Sequence, residues 1–182
     1  MEIELRAKIK NFKPVEKKLR ELGAEYIGEK TENDQYFSSI ELNKKLGYSF
    51  LLRIRERGGK CILTAKSAKK NMDGVWEEYE VLISEPKVYL DIFNLIGLEK
   101  VITVSKRRKT FKLDGLTVNI DKFKKWGSFA EIELISRKYG NKDRLLDVVK
   151  KLGISDRDVL NKGYITFFLK EIGSPFAKYI KN

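Results

Sequence analysis

Three pairs of carboxylates and three pairs of cations recur along this sequence at a spacing of two residues. Glu2/Glu4, Glu78/Glu80 and Glu131/Glu133 are the acidic pairs; Arg6/Lys8, Arg53/Arg55 and Lys106/Arg108 are the basic ones. In an extended chain, residues i and i+2 leave the same face about 7 Å apart. Like charges held there repel, so such pairs persist where something of opposite sign lies between them. A divalent cation suits the carboxylates, and a polyanion suits the arginines and lysines. Glutamates that hold metal, beside cations that cradle phosphate oxygens, are the working parts of metal-assisted phosphoryl transfer. A merely solvated sheet face mixes polar types without this order.

The composition narrows the chemistry further. There is no histidine in 182 residues, which excludes a Ser-His-Asp triad, a histidine base and histidine-ligated zinc. One cysteine, Cys61, can build neither a disulfide nor a thiolate metal site, and beside Ile62 and Leu63 it reads as a small buried apolar group. Any metal must therefore be held by oxygen, which favours Mg²⁺, Mn²⁺ or Ca²⁺. A net charge of +12 favours an anionic partner. Gly58-Gly59 lacks the length and the Lys-Ser/Thr ending of a P-loop, so phosphates would be gripped by side chains. Nucleic acid is the rival partner, with Lys106-Arg107-Arg108-Lys109 as the strongest local patch. Alternation sends Arg107 and Lys109 to the opposite face from Lys106 and Arg108, and three carboxylate pairs would repel a phosphate backbone. Nucleic acid is accordingly disfavoured.

Length predicts a single domain over residues 1–182. No apolar stretch approaches the roughly 20 residues of a membrane span. Met1-Glu2-Ile3-Glu4 has neither the basic start nor the apolar segment of a signal peptide, and the expectation is a cytoplasmic protein, monomeric or homodimeric. Richness in Lys and Glu with little Met and Cys suits a thermophile.

The elements that must position these charges can be read from the same alternation. Strands are predicted over Glu2–Lys10, Gln35–Ser38, Phe50–Glu56, Lys60–Lys66, Glu77–Ile83, Val101–Arg107, Lys109–Lys112, Leu116–Phe123 and Ala130–Ile135. Gly58-Gly59 and Asp114-Gly115 are hairpin turns. In the first strand Ile3, Leu5, Ala7 and Ile9 oppose Glu2, Glu4, Arg6 and Lys8; in Leu116–Asp121, Leu116, Val118 and Ile120 oppose Thr117, Asn119 and Asp121. One side of the sheet is thus apolar and the other charged.

Helices are predicted from about Pro14 to Leu22, from Pro86 to Gly97, from an Asn141 cap to Gly153, and over Tyr164–Ile172. Glu-Ile-Glu-Leu occurs twice, at residues 2 and 131, and Glu78-Tyr79-Glu80-Val81 echoes it; each precedes one of the first three helices. Lys17, Lys18, Lys44 and Lys45 read as solvated helix or loop charges. Many strands against few helices predict an α+β fold, an antiparallel β-barrel with helices packed outside and both sets of charges around its bore.

These residues also resemble a known family. Glu2-x-Glu4-x-Arg6-x-Lys8 is similar to the Glu-x-Glu-x-Lys signature of the CYTH superfamily, the triphosphate tunnel metalloenzymes. The resemblance continues in order through Asn33-Asp34-Gln35-Tyr36-Phe37, Leu52-Arg53-Ile54-Arg55, Thr64-x-Lys66, Glu78-x-Glu80, Lys106-x-Arg108, Asp121 and Glu131-x-Glu133 to Tyr164. Length and spacing look most like the class IV adenylyl cyclase group; inorganic tripolyphosphatases and thiamine triphosphatases share the tunnel.

The resemblance implies an eight-stranded antiparallel tunnel using Mg²⁺ or Mn²⁺ on ATP or tripolyphosphate. It implies metal ligands at Glu2, Glu4, Asp121, Glu131 and Glu133, with Glu78, Glu80 and Tyr164 as additional site residues. It implies triphosphate binding by Arg6, Lys8, Arg53, Arg55, Lys66, Lys106 and Arg108, with Lys66, Lys106 and Arg108 in the catalytic role. Asp34 and Tyr36 match the pattern and admit a structural hydrogen-bonding role as readily as a catalytic one. Trp76, Trp126 and Tyr164 are aromatics that could flank a nucleoside or belong to the core. Arg6 replaces the signature lysine, and a forked guanidinium is not interchangeable with a compact ammonium.

Overall fold

Alternating apolar residues become strands most clearly where helices pack on the apolar side, as Val15 and Leu19 and Leu145, Val148 and Val149 do on Leu5, Ala7, Val118, Ile120, Ala130 and Ile132. The computed structural model describes residues 2–67, 77–135 and 142–180, with backbone alone at Glu2, Ile135 and Lys142. Trp76 and the Asn141 cap lie outside the described residues. The strands are β1 (Glu2–Ile9), β2 (Glu25–Ser38), β3 (Phe50–Arg57), β4 (Lys60–Ser67), β5 (Glu77–Ile83), β6 (Glu99–Leu113), β7 (Leu116–Phe123), β8 (Gly127–Ile135) and β9 (Val159–Leu160). The helices are α1 (Phe12–Glu21), α2 (Ile40–Leu46), α3 (Pro86–Leu95), α4 (Lys142–Lys151) and α5 (Tyr164–Glu171). The strands form an antiparallel sheet in the order β5-β4-β3-β2-β6-β7-β8-β1-β9. The α+β class is as expected. The ninth strand is the two-residue Val159–Leu160 beside β1, and among the described residues no pairing joins β5 to β9.

The chain divides into two compact units whose boundaries fall inside β2 and β6: residues 1–30 with 106–161, and 31–105 with 162–182. In the first unit, Leu5, Ala7 and Ile9 of β1, Val118 and Ile120 of β7, and Ala130 and Ile132 of β8 form one buried layer. Val15 and Leu19 of α1 and Leu145, Val148 and Val149 of α4 pack on it. Asn11 caps α1, its side chain accepting from the Lys13 amide at 3.0 Å. In the second unit, Phe37, Ile54 and Ile83 meet Phe93 of α3, with the Phe37 and Phe93 rings 5.2 Å apart. Cys61 is half-buried against that cluster rather than fully enclosed.

The β6–β7 hairpin turns at Asp114-Gly115, with φ of 49° and 75°, and β3–β4 at Gly58-Gly59, with φ of 56° and 72°. Positive φ at both central residues gives the twist that two antiparallel strands need. Each of the three Glu-x-Glu strands, β1, β5 and β8, is followed by a helix, as the internal echo suggests.

Three elements depart from the expectation. The first half of β2, Glu25–Thr31, is almost wholly exposed, so no alternation marks it as strand. The two strands predicted on either side of Arg108 are one, β6, and the half-buried Arg108 charge is met inside the sheet by Asp121 and Glu131. Helix α2 is only seven residues and turns on polar contacts: Ser39 caps Leu42, and buried Asn43 accepts from the Phe50 amide and donates to Ser38 Oγ.

Candidate functional site

Strand register puts the first unit's charges in rows. Glu4 lies opposite Glu133, and Arg6 opposite Glu131, across the β1–β8 pair. Across β7–β8, Glu133 faces Thr117 and Glu131 faces Asn119; across β6–β7, Arg108 faces Asp121 and Thr110 faces Asn119. All belong to the face away from the apolar layer, so their side chains meet one another.

The side-chain contacts follow these rows and their diagonals. Arg108 grips Asp121 with two bonds, Nε to Oδ1 at 2.7 Å and Nη2 to Oδ2 at 2.6 Å, and also reaches Glu131 Oε1 at 2.5 Å. Buried Lys106 donates to Asp121 Oδ2 at 3.2 Å. Arg6 donates through Nε to Glu131 Oε2 at 2.7 Å and through Nη2 to Glu4. Asn119 donates to Glu133 Oε1 at 2.9 Å and accepts from Thr110 at 2.9 Å. Burial works against the Glu131 carboxylate, yet Arg108, Arg6 and Lys106 outweigh it and hold its pKa well below the usual range.

The outer side of the same strands is different chemistry. Arg107 pairs with Glu29 at 2.7 Å and Lys109 with Glu16 at 2.8 Å, while Lys106 and Arg108 turn inward. The basic run is thus split between two faces, as alternation predicts. Lys109, with Arg20 behind it, lowers the Glu16 pKa through its hydrogen bond.

The second unit carries its own charged face on β2, β3, β4 and β5. Arg55 makes a fork on Asp34, Nε to Oδ1 and Nη2 to Oδ2, both at 2.7 Å, and Tyr36 donates to Asp34 at 3.2 Å. Buried Glu32 lies 3.4 Å from Arg55 and 3.3 Å from Arg57. Burial opposes the Arg55 charge, and the Asp34 contacts overcome it and raise the guanidinium pKa. Burial, reinforced by the Asp34 charge, raises that of the Tyr36 phenol. Asp34 and Tyr36 therefore brace Arg55. Arg53 donates to Thr64 and to Glu80 at 2.9 Å each, and its Nε is buried with no hydrogen-bond partner among the described residues. Lys66 pairs with Glu78 across β4–β5.

Most expected residues thus fall into two groups. Glu4, Arg6, Lys106, Arg108, Asp121, Glu131 and Glu133 converge in the first unit. Arg53, Arg55, Lys66, Glu78 and Glu80 lie in the second, where Tyr164 opens α5 and stacks on Phe168 at 6.0 Å. Lys8 follows Arg6 on the same face of β1, opposite Phe129, and only the backbone of Glu2 is described. Trp126 is half-buried beneath Lys125. Sequence reasoning missed Glu32, which shares the face of Asp34 two residues earlier, just past the exposed half of β2. It also gave no role to Asn119 and Thr110, although Asn119 sits on the charged side of β7.

The like-charge pairs find opposite charge within the sheet itself. Among the described residues no three acidic side chains form a metal cage by themselves, because Arg6 and Arg108 stand among them. The donor set nonetheless fits a hard dication. It is entirely carboxylate oxygen, and it places Glu4 directly across from Glu133, a like-charge pair that a cation would relieve.

Residues 1–164 match the CYTH domain family. Over 170 residues the chain is 29% identical to a Methanocaldococcus jannaschii protein provisionally named an adenylate cyclase, covering 91% of this chain and 97% of the relative. The solved structure of a Pyrococcus horikoshii protein has a TM-score of 0.78 at 29% identity, with 91% of this chain and 98% of that one covered. A Hippeastrum protein provisionally named an adenylyl cyclase, and described as having a dominant triphosphatase activity, shares the fold. Its TM-score is 0.65 at 19% identity, with 95% of each chain covered.

Proposed function

The chain belongs to the CYTH family, and from that premise we propose that it is a divalent-metal-dependent adenylyl cyclase of the class IV type. The observation that carries the reading is the interleaving of Glu4, Asp121, Glu131 and Glu133 with Arg6, Lys106 and Arg108 on one sheet face. The name carried by the Methanocaldococcus relative supports the cyclase form of it.

In this reading Glu4, Asp121, Glu131 and Glu133 would hold Mg²⁺ or Mn²⁺, which would supply Lewis-acid stabilisation of phosphate charge. Arg6, Lys8, Lys106 and Arg108 are the candidate ligands of the triphosphate oxygens in this unit. The ribose 3′-hydroxyl oxygen attacks the α-phosphorus and its proton passes to solvent, the bond from the α-phosphorus to the bridging oxygen breaks, and pyrophosphate leaves with that oxygen. Lys106 and Arg108 are the donors toward the charge that develops as that bond breaks. No histidine is required.

Hydrolysis is the second form, because donors that stabilise a departing pyrophosphate would equally serve water attacking the terminal phosphate. The deciding experiment incubates the protein with Mg²⁺ or Mn²⁺ and, separately, ATP and inorganic tripolyphosphate, resolving products by chromatography. A Glu4→Gln/Glu133→Gln double variant is the control. Cyclic AMP with pyrophosphate is the expected result. Orthophosphate from tripolyphosphate moves the assignment to a triphosphatase, and no turnover of either substrate overturns it.

A further inference from the structure

The described carboxylates of the first unit's charged face already have cations beside them. Both Glu131 oxygens are taken, Oε2 by Arg6 Nε at 2.7 Å and Oε1 by Arg108 Nη2 at 2.5 Å. Both Asp121 oxygens are taken by Arg108, with Lys106 adding a third bond. Arg6 spans Glu4 and Glu131 from two different nitrogens, Nη2 and Nε. Arg108 Nη1 lies 3.7 Å from Glu133.

This arrangement constrains how ligands enter. A dication arriving alone must take Glu131 from two guanidinium groups, which then face the metal with no anion between. A polyphosphate arriving alone must draw the same groups away, which strands Glu131 and leaves Asp121 only Lys106; both carboxylates are almost fully buried. Leaving a buried charge uncompensated is costly. Arriving together, the ligands exchange partners: metal takes the carboxylates, phosphate oxygens take the guanidinium groups, and every charge keeps an opposite neighbour.

Resting on the metal–triphosphate reading above, we infer that Arg6 and Arg108 are built-in counter-ions of the metal-binding carboxylates. Metal and triphosphate therefore bind this face cooperatively, each raising the affinity for the other. Arg6 sets much of this coupling, because its fork holds two carboxylates where an ammonium donates from a single nitrogen. Coupling between ligands is reciprocal, so the factor by which metal tightens triphosphate binding is also the factor by which triphosphate tightens metal binding.

The test measures each ligand alone, since tripolyphosphate also sequesters Mn²⁺ in solution. Mn²⁺ binding is followed by the loss of the aquo-ion's electron paramagnetic resonance signal. Tripolyphosphate binding is followed by calorimetry in chelator, and the preformed Mn²⁺–tripolyphosphate complex is titrated separately. Arg6→Met is expected to bind Mn²⁺ alone about tenfold more tightly than wild type and tripolyphosphate alone more weakly. Arg6→Lys should fall between, and it carries the test if circular dichroism melting shows the Met variant unfolded. Wild type should bind the complex about tenfold or more tightly than either component. Equal Mn²⁺ affinity in wild type and both variants, with the complex still bound, overturns the exchange while leaving the metal–triphosphate reading intact. Failure of wild type to bind Mn²⁺, tripolyphosphate or their complex overturns both.

Discussion

Replacing Arg108 with methionine removes the guanidinium that holds two buried carboxylates. Asp121 is 0% exposed and Glu131 5% at the side chain, so neither can turn to water when Arg108 leaves. Stripping the partner from a buried ion pair costs about 3–5 kcal/mol when the remaining charge is left alone. Neither is left entirely alone: Lys106 stays 3.2 Å from Asp121, and Arg6 stays 2.7 Å from Glu131. The expected cost is therefore about 2–3 kcal/mol at pH 7, below the full penalty. For a chain of this size that is a drop in Tm of about 5–10 °C. Urea unfolding followed by circular dichroism measures it, with Arg107→Met as the neighbouring control. Arg107 pairs with Glu29 in the open, 53% and 32% exposed, where an ion pair contributes about 0–1 kcal/mol. An Arg108→Met/Asp121→Leu double variant should recover part of the loss, because it removes one stranded charge with its partner. Equal small losses at positions 107 and 108, with no recovery in the double variant, would falsify the reasoning and mean that water serves this face.

Glu131 keeps its charge to lower pH in the folded protein than in the unfolded chain. Its stabilisation is therefore complete above the unfolded value of about 4.3 and fades as pH falls through the folded one. Glu131→Gln should flatten the acid side of the urea-midpoint profile, and an unchanged slope there rules against the assignment. Tyr36 shows the opposite sign: its phenol keeps a proton that the unfolded chain releases near pH 10, so stability falls as pH rises beyond about 10. Tyr36→Phe should cost about 1 kcal/mol at neutral pH and remove one late-titrating tyrosinate from the 295 nm absorbance curve. Lys106→Met should lower kcat about 100-fold with a smaller change in KM, and equal changes in both would assign it to binding alone. Asn11→Ala should cost about 1 kcal/mol by uncapping α1, read from the urea midpoint at pH 7.

Local periodicity carried much of the fold into plain view. The alternation in β1, β3, β7 and β8 identified the strands and sorted their charges onto one face, because successive side chains in a strand must point to opposite sides. The Gly58-Gly59 and Asp114-Gly115 dipeptides located two hairpins, and the Glu-x-Glu echo located three strand–helix units. Elements whose residues lacked a local contrast stayed hidden. The exposed half of β2 has no apolar side to alternate with, and α2 forms through Ser39 and Asn43 rather than through an apolar stripe.

What the amino-acid sequence determined by itself was which residues carry charge, at what spacing and on which face. Who neutralises whom belonged to the tertiary structure. Arg6 and Glu131 are 125 residues apart, and Arg55 and Asp34 are 21 apart. Those distances close only when β1 pairs with β8 and β2 with β3 in one register, since a slip by one residue would send every charge to the other face. The sequence supplied like charges in pairs that looked as though they required a ligand between them. The sheet brought the opposite charges to them first, because strands far apart in the chain are neighbours a few ångströms apart in the fold.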